Sequence, residues 1–81
     1  MSDNVFVIYS KPGCPWCVRV EEVLSTAGLT HVVYKLNQNF TPEEFYDEFG
    51  QGSTFPQVIM NGKHLGGCMD TVKYLQENKI I

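Results

Sequence analysis

Positive charge is scarce in this chain. Its 81 residues hold six Lys and Arg against nine Asp and Glu, for a formal charge of −3. The six cations are scattered, so the concentrated basic face that nucleic acid or an anionic membrane requires is missing, and neither is expected as a partner. No apolar run approaches the ~20 residues that cross a bilayer. The opening Met1-Ser2-Asp3-Asn4 has neither the basic nor the apolar region of a secretory signal. A soluble, cytoplasmic protein is the expectation. Repeats, low-complexity stretches and linkers are also absent, and residues 1–81 read as one domain. Cysteine is limited to three, an odd number, with Cys14 and Cys17 close together. That excludes the disulfide scaffold of a small secreted protein. In a reducing compartment a close pair points instead to redox catalysis or to metal binding.

What is present is a clear succession of apolar patterns. A hydrophobic fraction of 43%, with five Phe, four Tyr and one Trp, supplies a core for a chain near the lower size limit of unstapled domains. Residues 5–9, Val-Phe-Val-Ile-Tyr, form a continuous β-rich run closed by Ser10-Lys11-Pro12-Gly13, and fit a strand buried on both faces. Residues 15–27 have helical spacing, with Cys17, Val20, Leu24 and Ala27 on one face, Arg19, Glu22 and Ser25 away from it, and Gly28 as the stop. Residues 31–36 read as a second strand. Thr41 as cap, Pro42 at the first helical position and Glu44 behind them form a capping box, with Phe45 and Phe49 as the buried side and Gly50 as the end. Glu43, Glu44, Asp47 and Glu48 read as the solvated face of that helix. Asn61-Gly62 between residues 57–60 and 63–65 is a hairpin signal. A last helix follows Gly66-Gly67 and runs to about residue 78, with Met69, Val72 and Leu75 or Gln76 inward. The order β-α-β-α-β-β-α implies a parallel first pair with a right-handed crossover and an antiparallel hairpin. A mixed α/β sheet with helices on both faces accommodates it.

The chemistry lies where the first strand meets the first helix, at Cys14-Pro15-Trp16-Cys17. Proline favours the first helical position, which makes Cys14 the N-cap. Its sulfur then faces the N–H groups of Trp16 and Cys17 at the positive end of the helix dipole. A thiolate gains far more there than a thiol, so the pKa of Cys14 is expected to fall from about 8.5 into the range ~3.5–7.5. Lys11 adds a positive charge nearby. Cys17, one turn into the helix on its apolar side, is expected to be more buried and aimed back at Cys14. Attack of the Cys14 thiolate on a substrate disulfide gives a mixed disulfide, which Cys17 or a small thiol resolves. Half of a zinc site is the competing reading. A structural site needs four ligands, only Cys68, His31 and His64 remain to complete it, and no second close pair exists.

Other features read first as structure. Pro56 suits the first residue of a strand, and His31 and His64 occupy ordinary sheet positions. Cys68 reads as a small, semi-buried residue. Gly66-Gly67 is a turn before a helix with Asp70 as its N-terminal acid, or else a carboxylate-binding helix start in which Asp70 holds an ammonium group. Trp16 is a surface aromatic that covers the motif and sets access to Cys14.

Three segments together, Lys11-Pro12-Gly13-Cys14-Pro15-Trp16-Cys17, Thr54-Phe55-Pro56 and Gly66-Gly67-Cys68-Met69-Asp70, resemble a dithiol glutaredoxin, and the likeness covers nearly the whole chain. The resemblance implies a thioredoxin fold with a four-stranded mixed sheet, a cis bond before Pro56, and Cys14 and Cys17 as a redox-active disulfide. It further implies reduction of protein disulfides and glutathione mixed disulfides, with glutathione as electron donor and no metal. By position, Lys11 would attract the glycyl carboxylate of glutathione. Thr54, Phe55 and Pro56 would line its cysteinyl part, paired through the Phe55 backbone. Gly67, Cys68, Met69 and Asp70 would take the γ-glutamyl end, and Trp16 stands where the family usually has Tyr.

The chain departs from the pattern of the family it resembles at three places: Ser53 stands where a base is frequent, Met69 where Ser, Thr or an acid is, and Phe55 where Val is. The first two each remove a polar contact; the third changes pocket shape more than backbone pairing. Disulfide-bearing proteins are the implied clients, ribonucleotide reductase a candidate among them, and a monomer is the implied state. Two alternatives are a thioredoxin-like reductant served by a flavoprotein reductase and an iron–sulfur carrier with glutathione as co-ligand. Pro15 weighs against the latter, since family members that carry clusters commonly lack it.

Overall fold

A computed structural model describes residues 4–81, so the reading of Met1, Ser2 and Asp3 lies outside the described residues. The elements are β1 (Phe6–Ser10), α1 (Pro15–Thr26), β2 (His31–Lys35), α2 (Pro42–Phe49), β3 (Gln57–Met60), β4 (Lys63–Gly66) and α3 (Cys68–Glu77). They form one four-stranded sheet in the order β2-β1-β3-β4. β1 runs parallel to β2, with Phe6 opposite His31 and Ser10 opposite Lys35, and antiparallel to β3, with Phe6 opposite Met60. The expected mixed sheet and order of elements are both present.

Helices cover both faces, but unequally. On one face Phe6 and Ile8 of β1 and Val58 of β3 meet Val20 and Leu24 of α1 and Leu75 of α3 in the principal core. On the other, the Tyr9 ring meets Phe49 of α2 at 5.0 Å. β1 therefore departs from the expectation of a strand buried on both sides. Phe6, Ile8 and Ser10 are buried, whereas Val7 and Tyr9 are half-buried and Val5 lies exposed before the strand. Two helices shield the first face and one short helix the second, which leaves part of it open to water.

Local signals hold closely at the turns and caps. The Glu44 N–H donates to Thr41 Oγ1 at 3.2 Å and the Thr41 N–H donates to Glu44 Oε1 at 2.8 Å, completing the capping box. Asn61 and Gly62 have φ of 51° and 86°, the paired left-handed residues that let a two-residue hairpin follow the strand twist. Thr41→Ala is expected to cost about 1 kcal/mol. Urea unfolding should show it as a lower midpoint at unchanged slope, and an unmoved midpoint would mean that the cap contributes nothing.

Three side-chain expectations are corrected. Ala27 is the C-cap of α1 and is exposed, because the helix has ended before its side chain can turn inward. Leu36 lies past β2 and makes an isolated bridge to Phe40 instead of a ladder pair. In α3 the inner residues are Cys68, Thr71 and Leu75, with Val72 half-buried, while Gln76 is exposed and Met69 is 69% exposed. Helix geometry explains the last correction. At about 100° per residue Cys68 lies ~20° from Leu75 around the axis, but Met69 lies ~120° away. Bulk suggested Met69 for the core; angular position selects the smaller Cys68.

Candidate active site

β1 ends at Ser10, and the chain turns through Gly13, at φ +69°, into Cys14, whose φ of −109° and ψ of 99° are those of an extended N-cap. Pro15 opens α1 as expected. The Cys17 N–H donates to Cys14 Sγ at 3.2 Å and also lies 3.2 Å from the Cys14 carbonyl oxygen. Of the two donors expected for the sulfur, Cys17 N–H makes the bond and, among the described residues, Trp16 N–H does not. A capping side chain reaches the third helical position here, where the N–H direction meets the sulfur.

Cys14 and Cys17 are joined by a disulfide with Cα atoms 5.3 Å apart, well inside the range a bridge tolerates. Cys14 keeps 8% of its surface exposed and Cys17 only 1%. A thiol arriving from solvent therefore meets the Cys14 sulfur first, and cleavage there leaves Cys17 as the departing thiolate. Cys68, the remaining cysteine, belongs to the core cluster. Burial pushes its thiol pKa up, with the Arg19 charge opposing the rise, so it is a packing residue in an environment that disfavours a thiolate.

The distant motifs converge in two contacts. The Phe55–Pro56 bond is cis, as the resemblance implies, and Pro56 is buried immediately before β3, one residue ahead of the strand it was expected to open. A Cβ on Gly67 would sit 3.6 Å from the Pro56 carbonyl oxygen, which brings the Pro56 backbone and the α3 start together. Gly66 has φ +103°, and a Cβ there would lie 2.7 Å from Asp70 Oδ2. Only glycine meets both constraints. Asp70 Oδ2 accepts from the Gly67 N–H at 3.4 Å, so the acid closes its own helix start while staying exposed. At the other end Lys11 Nζ stands 5.3 Å from the centroid of the Phe55 ring. Thr54 is exposed, and Trp16 is 52% exposed on α1 beside the disulfide.

The histidines do not join these groups. His31 starts β2 at the end of the sheet opposite Ser10, with its Nδ1 2.9 Å from the Leu29 carbonyl oxygen. His64 Nε2 lies 2.9 Å from Glu48 Oε2. Among the described residues no three His, Cys, Asp or Glu side chains gather at one point.

An open cleft of about 390 Å³ is lined by Cys14 and Cys17, with Ser10, Lys11, Glu21, Lys35 and Gln38 among its other walls. Lys35 and Gln38 escaped sequence reasoning. The usable signal was the parallel pairing of β1 with β2, which carries Lys35 to Ser10 and hence to the mouth of the cysteine turn. A larger groove, about 440 Å³, lies along α1 between Arg19 and Ala27 and contains no cysteine.

A protein-family model described as glutaredoxin matches residues 6–65. Glutaredoxin-C6 of Oryza sativa subsp. japonica is 36% identical over 93% of this chain and 70% of its own length. A glutaredoxin of Vernicia fordii is 32% identical over 100% of this chain and 81% of its own. Among solved structures, a buckwheat glutaredoxin–glutathione complex superposes with a TM-score of 0.78 at 28% identity, covering 95% of this chain and 73% of that one.

Proposed function

The chain belongs to the glutaredoxin family of thiol–disulfide oxidoreductases, and on that premise we propose that it reduces protein disulfides and glutathione mixed disulfides with electrons from glutathione. The observation that carries this reading is the asymmetry of the pair: Cys14 caps α1 and keeps 8% of its surface exposed, whereas Cys17, inside the first turn, keeps 1%. In the reduced protein the Cys17 N–H and the helix dipole hold negative charge on Cys14, which makes it the nucleophile at neutral pH.

The Cys14 thiolate attacks one sulfur of a client disulfide, forming a mixed disulfide and expelling the first client thiolate. Cys17 attacks Cys14 Sγ, releases the second client thiolate and forms the Cys14–Cys17 disulfide. One glutathione thiolate then cleaves that bond at Cys14, and a second attacks the glutathionyl sulfur. Glutathione disulfide leaves with the two electrons accounted for. A glutathione mixed disulfide needs Cys14 alone: its thiolate attacks the glutathionyl sulfur and expels the client thiolate, and one glutathione thiolate then attacks that same sulfur, regenerating the Cys14 thiolate and releasing glutathione disulfide.

In this reading Lys11 takes the glycyl carboxylate of glutathione, and the backbone of Phe55, flanked by Thr54 and Pro56, pairs with its cysteinyl part. Gly67, Cys68, Met69 and Asp70 take the γ-glutamyl end, and Trp16 forms the rim. The chain's geometry suits a charged tripeptide: a cation stands at one end, and glycine-permitted backbone with an exposed carboxylate stands at the other. Gly66 supports Asp70 by leaving room for it. Exposed apolar groups beside the disulfide, Trp16 and Val18, suit contact with protein clients, of which ribonucleotide reductase is a candidate. A monomer in the cytoplasm, where glutathione keeps thiols reduced, completes the proposal.

Turnover of a glutathione mixed-disulfide substrate, set against turnover coupled to a flavoprotein reductase, tests the choice of donor. Activity with the reductase alone would overturn it. Lys11→Ala and Asp70→Ala should each raise the glutathione concentration required about two- to fivefold, as loss of an exposed charge pair does, with a smaller effect on maximal rate. An unchanged requirement in both variants would remove the two residues from the site.

A further inference from the structure

We infer that the Phe55 ring is the positioning residue for Lys11, holding its ammonium as a preset carboxylate anchor at the mouth of the disulfide cleft. The inference deepens the glutathione reading and rests on it.

The ring is itself held in place. Phe55 stacks on Phe45 at 4.1 Å with the planes 10° apart, and lies near-parallel to Phe40 at 6.2 Å and 21°. Phe40 and Phe45 are both buried, and they stack on each other at 5.9 Å. Phe45 is further locked against Phe49 at 4.9 Å. These rings form a shelf built from α2 and the segment before it, with Phe55 at its outer end. Stacked so closely on Phe45, the Phe55 ring cannot turn freely.

Lys11 starts from the opposite condition. It is exposed in the turn after β1 and lines the cleft that contains Cys14 and Cys17. Its ammonium stands 5.3 Å from the Phe55 centroid, within the ~6 Å over which an aromatic face attracts a cation. Among the described residues the one acid–base contact is His64 with Glu48, so no carboxylate holds Lys11.

That difference matters for a binding site. A carboxylate partner would localise the ammonium but cancel its charge, and an incoming anion would have to displace it. A ring face localises the ammonium and leaves the charge available. Lysine carries large rotamer freedom, and restraint before binding removes part of the ordering cost that a ligand otherwise meets. The two glutathione contacts assigned to this end, the Lys11 charge and the Phe55 backbone, thereby become one unit.

Steady-state turnover of a glutathione mixed-disulfide substrate should be measured for wild type, Phe55→Leu, Phe55→Tyr, Lys11→Met and the Phe55→Leu/Lys11→Met double variant. Phe55→Leu should raise the KM for glutathione about two- to fivefold, more than it lowers kcat, and Phe55→Tyr, which keeps an aromatic face, should stay close to wild type. The double variant should be no worse than Lys11→Met. Multiplying effects in the double variant would overturn the inference, because Phe55 would then act without Lys11. A second measurement needs no glutathione. The ε-methylene protons of Lys11 should be shifted upfield by the ring in wild type and relax toward the free-lysine position in Phe55→Leu. An unshifted signal in wild type would overturn the pairing. A shifted signal in a protein that glutathione cannot turn over would instead overturn the glutathione reading, and with it the ligand of the anchor.

Discussion

Replacing Cys14 by Ser is expected to lower thiol transfer on the order of 10³-fold or more toward every disulfide substrate, the scale of losing a covalent nucleophile. A serine hydroxyl stays protonated near neutral pH and forms no disulfide. Cys17 cannot take over, because it is 1% exposed and lies inside the helix, away from the cap. Cys17→Ser should behave differently. The donor to Cys14 Sγ is the backbone N–H of residue 17, which the substitution leaves in place, so the activated cap survives. Glutathione mixed-disulfide reduction should persist, while reduction of protein disulfides that require an internal second thiol should weaken sharply. Incubation with glutathione disulfide should also leave Cys17→Ser carrying a glutathionyl adduct at Cys14, visible by intact mass. Equal loss in both variants, or an adduct on another cysteine, would contradict the assigned roles.

The largest structural effect is expected from Phe45→Ala. Truncation of a fully buried phenylalanine costs about 3–5 kcal/mol, and a chain of this length has a total stability of only ~4–12 kcal/mol. Phe45 is 1% exposed and touches the rings of Phe40, Tyr46, Phe49 and Phe55. Its loss opens the layer between α2 and the second face of the sheet, where one short helix and the loop rings of Phe40 and Phe55 form a thin cover with little to collapse into the gap. The melting temperature should fall by more than ~12 °C, at 4–8 °C for each kcal/mol in a domain of this size. Phe49→Ala, at a half-buried position, should cost less. A melting temperature within a few degrees of wild type for Phe45→Ala would mean that the aromatic layer is not a second core.

The order of elements, the α1 cap at Cys14, the capping box at Thr41 and the Asn61-Gly62 hairpin were legible from residues alone. The order of elements follows from apolar periodicity along each segment. The other three are each decided within one helical turn or one two-residue loop, where proline's fixed φ, a free N–H or a left-handed backbone pair leaves few choices. The same locality separates Cys14 from Cys17, since position on a helix sets which sulfur is capped and which is buried. The three motifs also carried the family resemblance, and with it an expected ligand site, without any coordinates. Tertiary structure decided the rest. Met69 points outward because Leu75 fixes the rotation of α3 against the sheet, and one face of β1 stays half-covered because a short helix and a few loop rings shield it. Lys35 reaches the cleft through strand pairing, and Lys11 comes to rest over a ring more than forty positions away in the chain. Such contacts follow from the packing of many elements at once, which no window of neighbouring residues contains.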